Sequence, residues 1–301
     1  MRRANLVVDI YLDLLFFDAL SEDILRLNGV VMTEARTGMD RQMSLDDVEG
    51  LDELFARRAR EAELALCDFE VQRGVSYGAA PAEKLNIFPS TRNAPVMIFF
   101  HGGFWKSLDA DLFSFLAPGF VPFGAALVVI DYPLMPSSRM ADIVASCQRA
   151  VSWVQKNAAR FGGDANRIFL SGNSAGGHLV AEVMSRPEGD IILGGTAISG
   201  LFDLIPVTQS FQNEDLYLTL EEVRNFSPLS RPVGVTAPMI VAVGADETDE
   251  FLRQSIVYAE QIGTQAMLVK DCNHITVVLD GLAKPTSKLN RAVRSQMGLQ
   301  V

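Results

Sequence analysis

The sequence predicts an α/β fold: a mostly parallel central sheet flanked by helices, with a small partial cap. Three observations carry this: short continuous apolar runs bounded by Gly, Pro or Asp, amphipathic helical stretches between them, and a length of 301 residues. Runs of that kind suit strands buried on both faces, and strand–helix alternation implies a parallel sheet covered on both sides. The length suits one large α/β domain. Hydrophobic residues make up 49% of the chain and charged residues 21%, an ordinary balance for a globular core.

The N-terminal residues 1–50 read as a helical extension to a main domain of residues 51–301. Arg2 and Arg3 precede an apolar stretch from Leu6 to Leu20, which superficially resembles a leader. Asp9, Asp13 and Asp18 interrupt it, and neither a leader core nor a membrane span carries three carboxylates in that length. The expectation is an amphipathic helix packed on the body or on a second copy of the chain, which allows a homodimer.

Residues 51–66 have helical propensity. The alternation in Phe69–Tyr77 and the short apolar Leu85–Phe88 suit an opening antiparallel hairpin. The continuous runs follow at Val96–Phe100, Ala126–Ile130, Ile168–Leu170, Gly195–Ile198, Met239–Val243 and Ala266–Val269. Between them, Ala141–Arg160 keeps one buried stripe through Ile143, Val144, Cys147, Val151, Val154 and Ala158. Residues 249–262 form a second helix, with Phe251, Ile256, Ala259 and Ile262 expected inward. Residues 201–232 break the alternation and are expected to form the partial cap.

Composition narrows the partners. The net charge is −11 and no Lys/Arg-rich run exists, which argues against nucleic acid, because phosphate binding rests on clustered cations. Cys67, Cys147 and Cys272 are odd in number and far apart, which fits a reducing, cytoplasmic compartment better than a disulfide framework. With no C-x-x-C pair and three histidines, no metal site is expected, and no cofactor. A small molecule is the expected partner.

The strongest chemical signal is Gly172-Asn173-Ser174-Ala175-Gly176, a G-x-S-x-G placed between an apolar strand and an apolar helix. A sharp strand-to-helix turn strains its central residue and lifts the hydroxyl of Ser174 above the sheet edge as a nucleophile. A second signal, His101-Gly102-Gly103-Phe104-Trp105, directly follows another strand. Acyl transfer builds charge on a carbonyl oxygen, and the backbone N–H groups of Gly102, Gly103 and Ala175 form the expected oxyanion hole. His101 is expected to hold that loop. Phe104, Trp105 and Asn173 are candidate pocket residues, the two aromatics lining either the pocket or the core beneath it.

A serine needs a base. His101 belongs to the glycine loop and His178 follows the elbow, so His274 remains, after the last strand. The acid must come from the loop after Met239–Val243, where Asp246, Glu247, Asp249 and Glu250 crowd together. The spacing from Gly244 favours Glu247, with Asp246 as the alternative.

Together these pieces resemble the kynurenine formamidase (arylformamidase) branch of the α/β-hydrolases, close to the hormone-sensitive-lipase-like esterases. The carrying residues are His101 to Asp109, Ser174 to Leu179, Ser199 to Leu204, Glu247 to Phe251 with Arg253 to Ser255, and Asn273-His274. The family usually has His before the nucleophile, where this chain has Asn173. The resemblance implies hydrolysis of an aryl formamide or small ester through an acyl-enzyme, without cofactor, with Glu247 as the acid. A substrate resembling formylkynurenine also needs a cation for its carboxylate, and Arg139 and Arg224 are the candidates. A general carboxylesterase is the alternative within enzymes. A catalytically silent binding module is the alternative outside them, and such modules usually lack the serine, histidine or acid that are all present here.

Overall fold

The computed structural model describes residues 38–186 and 191–301, so the expected helix at Leu6–Leu20 lies outside the described residues. After a turn at Gly50, which adopts a left-handed φ of 65°, helix α1 spans Leu51–Asp68. Eight strands follow: β1 Gln72–Ser76, β2 Lys84–Phe88, β3 Ala94–Phe100, β4 Ala126–Ile130, β5 Gly163–Asn173, β6 Ile192–Ile198, β7 Met239–Gly244 and β8 Met267–Val269. They form one sheet in the order β1-β2-β4-β3-β5-β6-β7-β8. β1 and β2 pair antiparallel, and β2 is antiparallel to β4. Every pairing from β4 to β8 is parallel. This is the α/β-hydrolase architecture that the alternation of apolar runs and helices implies.

Strand β3 shows why its sequence carries no polar alternation. Val96, Ile98 and Phe100 belong to the core on one face, while Met97 and Phe99 belong to the core on the other. Helices α2 (Met140–Asn157), α3 (Ala175–Met184) and α5 (Asp249–Gln261) cover the first face. Helix α1 and the C-terminal helix α6 (Lys288–Gln296) cover the second. The short helix α4 (Leu220–Phe226) lies in the 201–232 segment, with single helical turns at Ile205–Thr208 and Asn213–Leu216.

The expected stripe is buried at all six positions, five on α2 and Ala158 in the 3-10 turn that follows it. In α5 the expected stripe is wrong at one position. Phe251 and Ala259 are buried, but Ile256 is 39% exposed. The buried positions are Glu250, Phe251, Gln254, Ser255, Tyr258 and Ala259, which keep the three-and-four spacing of one helix face. Gln254 hides that face in the sequence because it is polar, yet it is fully used: its amide spans Asp203 and Glu250.

Candidate active site

The parallel strands deliver their C-terminal ends to one edge of the sheet, where ligands of open α/β sheets bind. Ser174 follows β5 directly, with φ 58° and ψ −122°. That conformation is costly for a non-glycine residue and persists only where the surroundings fix it. Here they do. The Ser174 N–H donates to the Ile198 carbonyl at 2.8 Å. A Cβ on Gly172 would meet the Gly176 carbonyl oxygen at 2.3 Å, and one on Gly176 would meet that of Phe100 at 1.9 Å. The elbow therefore packs backbone on backbone, and the strained turn is the only path left.

The loop after β3 leans on the same elbow. A Cβ on Gly102 would lie 3.2 Å from the Ser174 Cβ. Gly103 has φ 102°, and its carbonyl accepts from Lys106, Ser107 and the Ser107 hydroxyl, which closes the turn. Among the described residues, neither the Gly102 nor the Gly103 amide is taken by a turn or cap acceptor. Helix α3 starts at Ala175 and points its positive end at the same place.

His101 braces this loop from below. It is buried, its Nδ1 lies 2.7 Å from the Gly102 carbonyl, and its ring stacks on Tyr132 at 4.3 Å. Burial pushes its pKa down to about 4, so the ring is neutral near pH 7. His178 is also fully buried, with Nε2 2.8 Å from the Phe226 carbonyl.

The third histidine stands apart. His274 Nδ1 lies 2.6 Å from Glu247 Oε2, and the Glu247 side chain is wholly buried. A carboxylate only accepts, so Nδ1 carries a proton, and in the neutral ring the lone pair falls on Nε2. Glu247 Oε1 accepts from the Gly244 amide at 2.7 Å and from the Ser199 hydroxyl at 2.5 Å. Phe251 packs on the imidazole with centroids 4.3 Å apart. Asp246 is exposed, and its backbone N–H donates to the Cys272 carbonyl at 3.0 Å.

Ser174, His274, Gly102, Gly103, Phe104 and Asn173 line one cavity of about 690 Å³. Its walls are mostly apolar, from Met43, Leu45, Phe55, Phe113, Phe211 and Phe251. Asn173 is buried at its rim with the Nδ2 group unpartnered. Trp105 does not line the cavity: it has no exposed surface and sets its ring edge against His178 at 5.0 Å. Phe104 and Trp105 both take positive φ, which sends the first ring to the cavity and the second into the core.

Two expected cations are elsewhere. Arg139 is bound to Glu222 and to the carbonyls of Leu216 and Tyr217, and it fastens α2 to the 201–232 segment. Arg224 is exposed and outside the cavity lining. Among the described residues, the Lys and Arg side chains that line it are Arg58 and Lys106. Arg58 escaped the sequence reading because it sits in a helix whose charges looked solvated. Ser199 helps to carry the resemblance, but its contact with Glu247 is not legible in the sequence, because nothing local shows that β6 ends beside the β7 loop.

The segment before α1 also closes on the site. Gln42 accepts the Glu250 amide through Oε1 and the Thr248 hydroxyl through its carbonyl, both at 2.9 Å. Gln212 Nε2 donates to the Met43 carbonyl at 3.0 Å, so the 201–232 segment and residues 42–43 meet above the cavity lining. Among the described residues no cluster of three or more His, Cys, Asp or Glu side chains suits a metal ion, and no helix is long and apolar enough to cross a membrane.

With elbow, glycine loop and histidine–glutamate pair on one sheet edge, the chain belongs to the α/β-hydrolase fold family, whose model matches residues 97–261. Within it, the chain is 31% identical to kynurenine formamidase of Danio rerio over 239 residues, 73% of this chain and 78% of that protein. A solved protein from Silicibacter sp. TM1040 is 28% identical with a TM-score of 0.75, covering 82% of this chain and 94% of that one. The thermophilic carboxylesterase EstE1, at 20% identity and a TM-score of 0.61, covers 83% and 98% and shares the fold. The chain is a hydrolase with amidase or esterase chemistry.

Proposed function

We propose that the chain is a serine hydrolase of small aryl formamides, acting through a formyl-enzyme on Ser174. The observation that carries it is the 2.6 Å contact of His274 Nδ1 with a buried Glu247, in the cavity that Ser174 also lines. With Nδ1 engaged, Nε2 is the nitrogen left to take the Ser174 proton as the hydroxyl attacks the formyl carbon. The oxyanion then meets the N–H groups of Gly102, Gly103 and Ala175. His274 returns the proton to the leaving arylamine, then activates water to release formate. The buried Nδ2 of Asn173 is a further donor beside the nucleophile. Three cysteines that are all free fit a reducing, cytoplasmic setting.

The aromatic lining of the cavity and the identity with the fish kynurenine formamidase favour an aryl formamide. The apolar walls favour a second reading, a carboxylesterase on short acyl esters. Two measurements separate them. A fluorophosphonate probe is expected to label the native chain and not Ser174→Ala; a native, folded chain that refuses the probe overturns the serine mechanism. Formylkynurenine is expected to exceed phenyl acetate in kcat/KM, and the reverse order favours the esterase.

A further inference from the structure

Two consecutive arginines of α1 have opposite surroundings. Arg57 donates through both terminal nitrogens to Asp280 at 3.0 and 2.8 Å, and through Nε to Glu61 at 2.7 Å. Asp280 lies in the helical segment that follows His274, so this fork locks α1 against the site. One residue on, about 100° around the helix, Arg58 lines the cavity.

Among the described residues, Arg58 has no such partner. Its guanidinium carbon sits 4.9 Å from the Phe55 ring centroid and 5.7 Å from that of Phe113. Among the described residues no carboxylate is within ion-pair distance of it, and its buried Nε makes no hydrogen bond. Asp109 reaches it only as a longer-range attraction, outweighed by the burial that lowers its pKa. A guanidinium nevertheless stays charged. The other cavity cation, Lys106, is already neutralised by Asp215 at 2.6 Å.

A partly desolvated cation without a counter-ion is a costly arrangement unless a ligand completes it. Two aromatic rings and the Arg57 lock hold it in place, so the ordering cost falls on folding rather than on binding. We propose that Arg58 is a specificity-determining residue that receives a carboxylate carried by the substrate, selecting anionic aromatic compounds over their uncharged analogues. Its bearing on turnover rests on the hydrolase reading above; its bearing on ligand binding does not.

The test is calorimetric titration of the full chain with phenylbutyrate and with phenylbutyramide, which differ in charge at one end. The native chain is expected to favour the carboxylate by about 10–100-fold, the worth of a charge-assisted hydrogen bond or two. In Arg58→Gln that preference is expected to collapse to within about threefold, through loss of phenylbutyrate affinity alone. Arg58→Lys is expected to keep part of it, since a point charge replaces a fork. Equal binding of the two ligands by the native chain overturns the proposal, as does a preference that survives in Arg58→Gln. If Arg58→Gln fails to fold, a preference unchanged in Arg58→Lys overturns it instead, because a fork-specific contact must weaken there. A chain that shows the preference yet resists the fluorophosphonate probe separates failure of the hydrolase reading from failure of this one.

Discussion

The hydroxyl of Ser199, at the end of β6, donates to Oε1 of Glu247 while His274 holds the other oxygen of the same carboxylate. Together with the Gly244 amide, this uses both oxygens and fixes the plane of the carboxylate. A carboxylate so held presents one orientation to the imidazole, which in the proposed mechanism spares the pair a conformational search in each cycle. Ser199→Ala is expected to lower kcat about tenfold with KM within about threefold. An unchanged kcat shows that Gly244 suffices.

Glu247 and Asp246 are neighbours with opposite environments, one wholly buried at its side chain and one exposed. Glu247→Gln is expected to lower kcat by about 10³–10⁴-fold, since the amide no longer fixes the imidazole tautomer. Asp246→Asn is expected to stay within about twofold. Steady-state kinetics on phenyl acetate decides it, and the opposite pattern moves the acid to Asp246.

Gly176 admits no side chain, because a Cβ would stand 1.9 Å from the Phe100 carbonyl oxygen. Both sides of that contact are backbone, so neither can rotate away. Gly176→Ala is expected to destabilise the chain by about 1–3 kcal/mol or more, read as a lower urea midpoint or as insoluble protein. A normal midpoint would show that β3 and the elbow separate easily.

Asp131, at the end of β4, accepts the Ala110 amide at 2.7 Å, and burial raises its carboxyl to about 6. A folded pKa above the unfolded value of about 3.9 means that its stabilisation is complete below that value. It is lost as pH rises through 6. The native chain therefore carries a buried charge at pH 7 that Asp131→Asn removes while keeping an acceptor for Ala110. The variant is expected to be more stable by about 1–2 kcal/mol at pH 7.5, allowing for solvent screening. The advantage is expected to fade between pH 6 and pH 4 in urea titrations. A gain that persists at pH 4 would assign it to something other than this carboxyl.

The sheet and most of the candidate site were legible in the chain because their signals are local. A strand buried on both faces must be apolar throughout, as Val96–Phe100 is, and a strained elbow must be flanked by residues as small as Gly172 and Gly176. His274 is the histidine that elimination leaves among three, and the spacing from Gly244 favours Glu247. Where polarity and burial part company, the local signal misleads. Gln254 is buried and Ile256 exposed on α5, since one polar side chain with every hydrogen bond met can replace an apolar one in the core.

By itself, then, the sequence determined the α/β alternation, the strained serine turn, the glycine loop and which histidine is the candidate base. Each depends on backbone geometry or residue type within a few positions. Tertiary structure alone decided that Ser199 supports Glu247, that Trp105 belongs to the core and Phe104 to the cavity, and that Arg58 rather than Arg139 faces it. Those outcomes depend on which distant elements meet: β6 beside β7, α1 against the segment after His274, and residues 42–43 against the 201–232 segment. Proximity between distant residues comes from the packing of whole elements, and no short window of sequence contains it.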